Sequence, residues 1–304
     1  MAVNLTAISA ELLPGLATLT GMYKQLPRVW NDFYDTRKSK MQLERNVSMR
    51  YMSVAAITTD GESTPFDNGG GQRYVYNQTH LQFQLAFAIT RQTIEDNLYS
   101  SQFGPNAMGL RDAFLRAEHI YASNPFNTAT TYDSQVGGDG VALGSASHPV
   151  DGGTVSNIAS PAASLNETAL LNAQVAINAN WRDNANQRMD AKPECLIIPP
   201  QLEAVAVRLL KTELRPGTAN NDVNAILSVQ GGIPKGYKVW NYLTSQYAWF
   251  ILTDQEGLLH YNRIPYSTDM SVDFTTDTLL VKGRMRQSWS YTDFRSIYVS
   301  AATS

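Results

Sequence analysis

Three features of the 304-residue sequence predict an α+β fold. Leu81, Phe83, Leu85, Phe87 and Ile89 alternate with Gln82, Gln84, Ala86, Ala88 and Thr90, which puts five large apolar groups on one face of a strand. Helical spacing takes over from about Gln92: Ile94 and Leu98 share a face, and Leu110, Phe114 and Ala117 or Tyr121 continue it. The last forty residues return to alternation, and TLLVKGRMRQSWSYTDFRSIYVS reads as two long strands joined by a bend.

Taken from the N-terminus, residues 1–45 have weak periodicity and read as an extended or loosely helical arm. Seven basic residues (Lys24, Arg28, Arg37, Lys38, Lys40, Arg45, Arg50) face only Asp32, Asp35 and Glu44, a local net of +4. Such an arm suits phosphates or an acidic neighbouring subunit, although a charge run is most often a solvated face. Val47, Met49 and Tyr51 begin the first strand of a long hairpin, and the 81–89 run is its cleaner second strand. Between them DGESTPFDNGGGQ, residues 60–72, is polar, glycine-rich and broken by Pro65, as expected for the tip of a projecting arm. An isolated two-stranded arm is marginal in water, so it needs another surface to lie on.

The helix from Gln92 should be interrupted or kinked at Gly104-Pro105 and end before Asn124-Pro125. Residues 124–163 are rich in turn formers. Ser164 and Glu167 then make a capping box for a helix with Leu170, Ala173 and Ile177 inward, running to about Asn180. ECLIIPPQLEAVAVRLLKTEL, 194–214, reads as a buried strand, a Pro-Pro break and an amphipathic helix lined by Leu202, Val205, Leu209 and Leu210. Short strands are expected around Lys238–Trp240 and Trp249–Thr253.

Composition narrows the function. The net charge of −3 argues against bulk attraction to nucleic acid. Charged residues make up 17%, below the usual quarter, and a surface covered by neutral polar groups is often hidden against other chains. Cys195 is the only cysteine, so no intrachain disulfide forms, and its run Cys195-Leu196-Ile197-Ile198 marks it as a small buried hydrophobe. The start MAVNLTAISAELLPGL has no basic stretch ahead of its apolar residues, and no run reaches the roughly 18 apolar residues of a membrane span. A cytoplasmic, soluble chain is expected.

Motif chemistry is sparse. GGIPKG, 231–236, lacks the spacing of a phosphate loop, and no G-x-S-x-G elbow occurs. His80, His119, His148 and His260 are too scattered to make a metal pair by spacing, so neither a metal nor a cofactor is expected. SASHPVDGGTVSN, 145–157, holds every residue type of a serine hydrolase in Ser145, Ser147, His148 and Asp151. However, His148-Pro149 favours extended backbone and Asp151-Gly152-Gly153 a turn, so a scaffolding loop is the better reading. If the loop were catalytic, His148→Ala should abolish the activity while leaving assembly largely intact. In RMRQSWSYTDFR, 284–295, Met285, Gln287, Trp289 and Tyr291 face one way and Arg284, Arg286, Ser288 and Ser290 the other, a core strand rather than a base-stacking surface.

The order of these parts resembles the major capsid proteins of tailed bacteriophages with the Hong Kong ninety-seven type fold, and within it the Mu-like head subunits. The resemblance spans nearly the whole chain. SASHP…GGT.SN, LIIPPQLEAVAVRLL, NNDVNAI, AWFILTD and LLVKGRMRQSWSYTDFRSIYVS carry it. It implies an N-arm over 1–45, an E-loop over 46–90, a peripheral domain with a spine helix over 91–181, an axial domain over 182–265, and return strands over 266–304. It also implies a non-enzymatic shell subunit that assembles as hexamers and pentamers around double-stranded DNA in the host cytoplasm. Scaffolding, portal and cement proteins would be its partners beside other copies of itself.

Within that frame Asp60, Glu62, Phe66, Asp67 and Arg73 are the expected intersubunit contacts of the E-loop tip. Lys24, Arg28, Arg37, Lys38 and Arg45 are the expected basic contacts to DNA or neighbours. The 60–72 tip holds no lysine, which disfavours covalent crosslinking through it. An encapsulin-like compartment shares the fold, and a hydrolase using Ser147 or Ser145 with His148 is the rival from another class.

Overall fold

A computed structural model describes residues 27–67, 69–96, 99–212, 232–273 and 275–302, with Gly15, Thr18, Met22, Tyr23, Asn224 and Ile226. In chain order the strands begin with β1 (Asp35–Lys38), β2 (Leu43–Met49), β3 (Gln72–Thr79) and β4 (Leu81–Thr90). Helices α1 (Arg91–Glu95) and α2 (Tyr99–Asn127) follow, then β5 (His148–Val150), β6 (Gly153–Val155) and α3 (Glu167–Val175). The second half holds β7 (Pro193–Ile198), α4 (Glu203–Leu210), β8 (Tyr237–Val239), β9 (Trp249–Thr253), β10 (Leu258–Asp273), β11 (Thr278–Tyr291) and β12 (Ile297–Ser300). Among the described residues these strands form two four-stranded sheets, ordered β1-β10-β11-β4 and β12-β9-β7-β8, and two ribbons, β2-β3 and β5-β6.

The long sheet carries α2. Phe103, Ala107, Leu110 and Phe114, one face of the helix, pack on Ile89, Leu279, Val281 and Met285 from the strands. Gly283 lets the two layers meet, because a Cβ there would lie 2.5 Å from the Phe114 ring. The second sheet is buried around Leu196, Ile197, Ile198 and Ile251, with Leu170 and Ile177 of the α3 region and Trp181, Trp240 and Trp249 closing the same core. Burial pushes the Cys195 thiol up to about 11, as expected of a small core hydrophobe.

Several sequence expectations are met. Met285, Gln287, Trp289 and Tyr291 are all buried on one face of β11. The strand, Pro-Pro break and helix over 193–210 form as read, and α3 continues through a π-turn to Asn180. Leu98, expected beside Ile94, lies outside the described residues.

Others are corrected. The first strand of the arm, β2, pairs antiparallel with β3 and not with the 81–89 run, which pairs with β11. Alternation gives a strand its sides but not its partner: Ile89, with Phe83 and Phe87, joins the core under α2, while Leu81 and Leu85 on the same side stay exposed. Pro105 lies inside α2 and does not end it. The helix also runs through Pro125 to Asn127, because Phe126 docks between Phe33, Trp240 and Phe250 at 5.3–6.3 Å. Asn166, not Ser164, caps α3, accepting from the Ala169 amide at 2.8 Å. The longest strand, β10, was hidden by Pro265 and by register shifts between Asn262 and Ser267. β12 joins the second sheet and does not extend the long one.

Candidate functional site

One segment leaves this body. Residues 50–71 run from the end of β2 to the start of β3, and among the described residues they have no strand pairing of their own, apart from Arg50 bonding Gly70 and Gly71. The register explains where the arm begins: β3 pairs with β2, one residue, His80, intervenes, and β4 pairs with β11. His80 is buried and bonds Ser39 Oγ and Ser288 Oγ, each at 2.8 Å, fixing the point where the chain changes partner.

The base of the arm is clamped. Asp151, at the turn of the β5-β6 ribbon, accepts from Arg50 Nε and Arg73 Nη1, and Arg73 also donates to the Asn184 carbonyl. Arg50, then Arg73, hold the Asp151 carboxyl below the usual carboxylate range. Asn184 Nδ2 bonds Ser48 Oγ at 2.8 Å and the Met49 carbonyl at 2.9 Å, and Tyr74 donates to the Pro149 carbonyl at 3.0 Å. Both strands of the ribbon are thus tied to the loop that looked like hydrolase debris.

The loop itself is locked from within. His148 is 1% exposed, with Nδ1 2.6 Å from Asp139 Oδ2, Nε2 3.0 Å from Asn157 Oδ1, and its ring stacked 3.7 Å from Phe294. Asn157 Nδ2 reaches the carbonyls of Leu143, Phe294 and Ile297. Ser145 and Ser147 bond each other at 3.4 Å, and among the described residues neither hydroxyl bonds His148. A triad needs that serine–imidazole bond, and here both ring nitrogens are already engaged. His148→Ala would empty a buried site bonded on both ring nitrogens, so an effect of that variant on assembly would not be separable from an effect on the fold.

Beyond the clamp the arm is bare. Tyr51, Met52, Val54, Ile57 and Phe66 are exposed, Ile57 at 101% and Phe66 at 92%. Asp60 is exposed, and Glu62 receives the Thr59 amide at 3.1 Å. Two residues expected as tip contacts are engaged within the subunit. Asp67 accepts from the Ser53 and Gly69 amides and pairs with Arg50 at 3.3 Å, and Arg73 belongs to the clamp.

The basic arm divides in the same way. Lys24 lies outside the described residues. Arg28 turns inward, its Nε 2.6 Å from Glu118 Oε2 on α2, a carboxylate 2% exposed, so it is a core ion pair and not a free contact. Arg37 pairs with Asp35 at 2.7 Å and Glu256 at 3.5 Å on the surface. Lys38 and Arg45 are exposed, and among the described residues no carboxylate pairs with either. What sequence reasoning missed is the aromatic anchor of this arm. Trp30 meets Trp289 and His260 edge-on at 5.6 and 4.7 Å, Phe33 meets Trp240 at 5.3 Å, and Tyr34 donates to the Ala122 carbonyl at 2.7 Å. The triple aromatic in VWNDFY was the available signal.

No group of three or more potential metal ligands occurs among the described residues, and no helix there is long and apolar enough to cross a membrane.

No curated protein sequence matches the chain. A virus-like particle from Pyrococcus furiosus is similar in fold, with TM-score 0.55 and 10% identity over 95% of this chain and 99% of that one. So is the capsid of an empty GTA particle, with TM-score 0.56 and 12% identity over 90% of each chain. The procapsid of bacteriophage JBD30 gives TM-score 0.52 and 12% identity over 99% of this chain and 76% of that one. The expected Mu-like kinship is narrower than these matches carry. Residues 79–300 match the model of a phage capsid protein family, and the chain belongs to that family as a major capsid protein of the Hong Kong ninety-seven type fold.

Proposed function

We propose that copies of this chain assemble as hexamers and pentamers into an icosahedral head around double-stranded DNA, each lending residues 50–71 to a neighbour. One observation carries the arm reading: five large apolar side chains, Tyr51, Met52, Val54, Ile57 and Phe66, are exposed along a segment whose base is clamped. Burying each would contribute roughly 1.5–3 kcal/mol, and a soluble monomer gains nothing by displaying them together. Asp60 and Glu62 at the tip are exposed and suited to charged contacts with neighbouring subunits, and exposed Lys38 and Arg45 on the basic arm to contacts with neighbours or phosphates.

The division of labour we infer follows the family plan. Residues 1–45 act as N-arm, the outer part of 46–90 as E-loop, 91–181 with α2 as spine and peripheral domain, 182–265 as axial domain, and 266–304 as return strands. The role is structural and not catalytic, in keeping with a His148 committed to Asp139 and Asn157. Assembly takes place in the host cytoplasm, with scaffolding, portal and cement proteins as partners.

Negative-stain electron microscopy of the purified protein, over a range of concentration and salt, tests this. Closed shells, or rings and tubes, are expected from the natural sequence, and loss of them from the Ile57→Ser, Phe66→Ser double variant. A protein that stays monomeric throughout, even with its scaffolding protein present, would sink the proposal. Shells that co-purify with a cargo protein and no DNA would move it to an encapsulin-like compartment.

A further inference from the structure

The long sheet has two faces, and α2 covers one of them, packing on Leu279, Val281 and Met285 of β11. On the other face Ser288 is buried under His80, and from Arg286 outward the sheet is bare. Lys282 is exposed, Arg284 and Arg286 are half-buried, and their partners across the ladder on β4, Ala86, Gln84 and Gln82, are all exposed. Arg263, at the irregularity of β10, brings a third guanidinium to the same place. Burial lowers the His80 imidazole most, Glu44 opposes it, and Arg286 and Arg263 lower it further, so both charges lie beside that ring.

These three arginines have no counter-ion among the described residues. Each Nε is buried, but the terminal nitrogens of all three are neither buried nor bonded, so the forks open toward solvent. Two acids of the same region are engaged elsewhere: Glu44 accepts from Ser39 Oγ at 2.5 Å, and Asp269 stands opposite Lys282 in the ladder. A half-buried guanidinium without a partner has lost hydration and gained nothing for it, so this face suits an anion.

The chain itself carries a matching anion. Asp60 and Glu62 are exposed at the arm tip, and neither pairs with a cation among the described residues. The sheet edge beside the arginines is also apolar: Leu81 and Leu85 are exposed on β4, and a cleft of about 300 Å³ opens between Phe83, Leu85 and Phe114. A phosphate backbone would leave those leucines bare, whereas the arm brings exposed Ile57 and Phe66 along with its acids. We propose that Arg263, Arg284 and Arg286 are the receptor for the arm tip of a second copy, with Asp60 and Glu62 as their carboxylate partners. This rests on the reading that residues 50–71 reach a neighbour. Tip and receptor are different surfaces, so the contact is head-to-tail, the kind that builds closed rings.

The probe is a fluorescein-labelled peptide of residues 50–71, titrated by anisotropy into unassembled full-length subunits at low salt, where charge contacts are least screened. Saturable binding is expected, weakened about tenfold or more in the Arg284→Gln, Arg286→Gln subunit, since charge-assisted bonds are lost. A peptide carrying Asp60→Asn and Glu62→Gln should lose as much. The thermal midpoint of the subunit variant should hold or rise, because unpaired charges have been removed. A fall would mean that the arginines brace their own subunit, which overturns the proposal. Absent binding, or binding that either pair of changes leaves untouched, overturns it as well. So does a short DNA duplex that binds through Arg284 and Arg286 where the peptide does not, which gives the face to phosphates. The readout needs no shell: peptide binding without shells in micrographs would defeat the assembly reading alone, and shells without peptide binding would defeat this receptor alone.

Discussion

Residues 29–34 and 51–66 look alike as sequence: each is a non-periodic stretch with aromatic and aliphatic residues among polar ones. Folded, they have opposite fates. Trp30, Phe33 and Tyr34 are buried against α2, β10 and β11, while Tyr51, Met52, Val54, Ile57 and Phe66 touch little of their own subunit. The first stretch owes its stability to its own chain. The second leaves its apolar side chains exposed while Asp151 clamps its base, which is why we propose that another subunit covers them.

The comparison breaks most sharply at Trp30. Trp30→Ala should cost the subunit about 3–5 kcal/mol, the usual penalty for emptying an aromatic core site, read from denaturant unfolding of unassembled protein. A cost below about 1 kcal/mol would mean the first stretch is as dispensable to the fold as the second. Next in size is acid. Burial drives the His260 imidazole beside Trp30 down to about 4, against about 6.5 unfolded. Between those values the unfolded chain binds the extra proton. The contribution of neutral His260 is therefore full above pH 6.5 and falls away toward pH 4, by about 3 kcal/mol in all. Unfolding midpoints across pH 4–7 should follow that slope, and His260→Gln should flatten it.

Smaller effects sharpen the other side. Asp151→Asn weakens both arginine pairs of a half-exposed clamp. Amide exchange should quicken in β2 and β3 while the protection of β10 and β11 holds, and equal quickening everywhere would refute a local clamp. Ile57→Ser should change subunit stability by less than about 0.5 kcal/mol, as for other surface sites, while lowering the yield of shells in electron micrographs.

Legibility followed the range of the forces involved. The buried side of β11 at Met285, Gln287, Trp289 and Tyr291, the inward residues of α3, and the strand–Pro-Pro–helix unit were readable from local pattern, whereas Leu81 and Leu85 stay exposed and Ser288 and Ser290 are buried against expectation. The anchoring of the N-arm was not, since Trp30 depends on Trp289 and His260, more than two hundred residues away. The end of α2 was misread because the dock for Phe126 outweighs what Pro125 costs locally. Of the candidate site, exposed Phe66 and Asp60 were legible from a polar, glycine-rich tip. Arg28, Asp67 and Arg73 each have a partner within the subunit that the sequence did not reveal, because a charge finds its counter-ion through space.

The sequence by itself determined the class of the fold, the family and the existence of an arm, since periodicity, turn formers and motif order are properties of the chain in one dimension. Only the tertiary structure decided which strand pairs with which, that Asp151 meets Arg50 and Arg73 at the base of residues 50–71, and that Asp139 and Asn157 engage both ring nitrogens of His148. Hydrogen-bond partners and buried charges are settled by distance in space, and no local pattern encodes that.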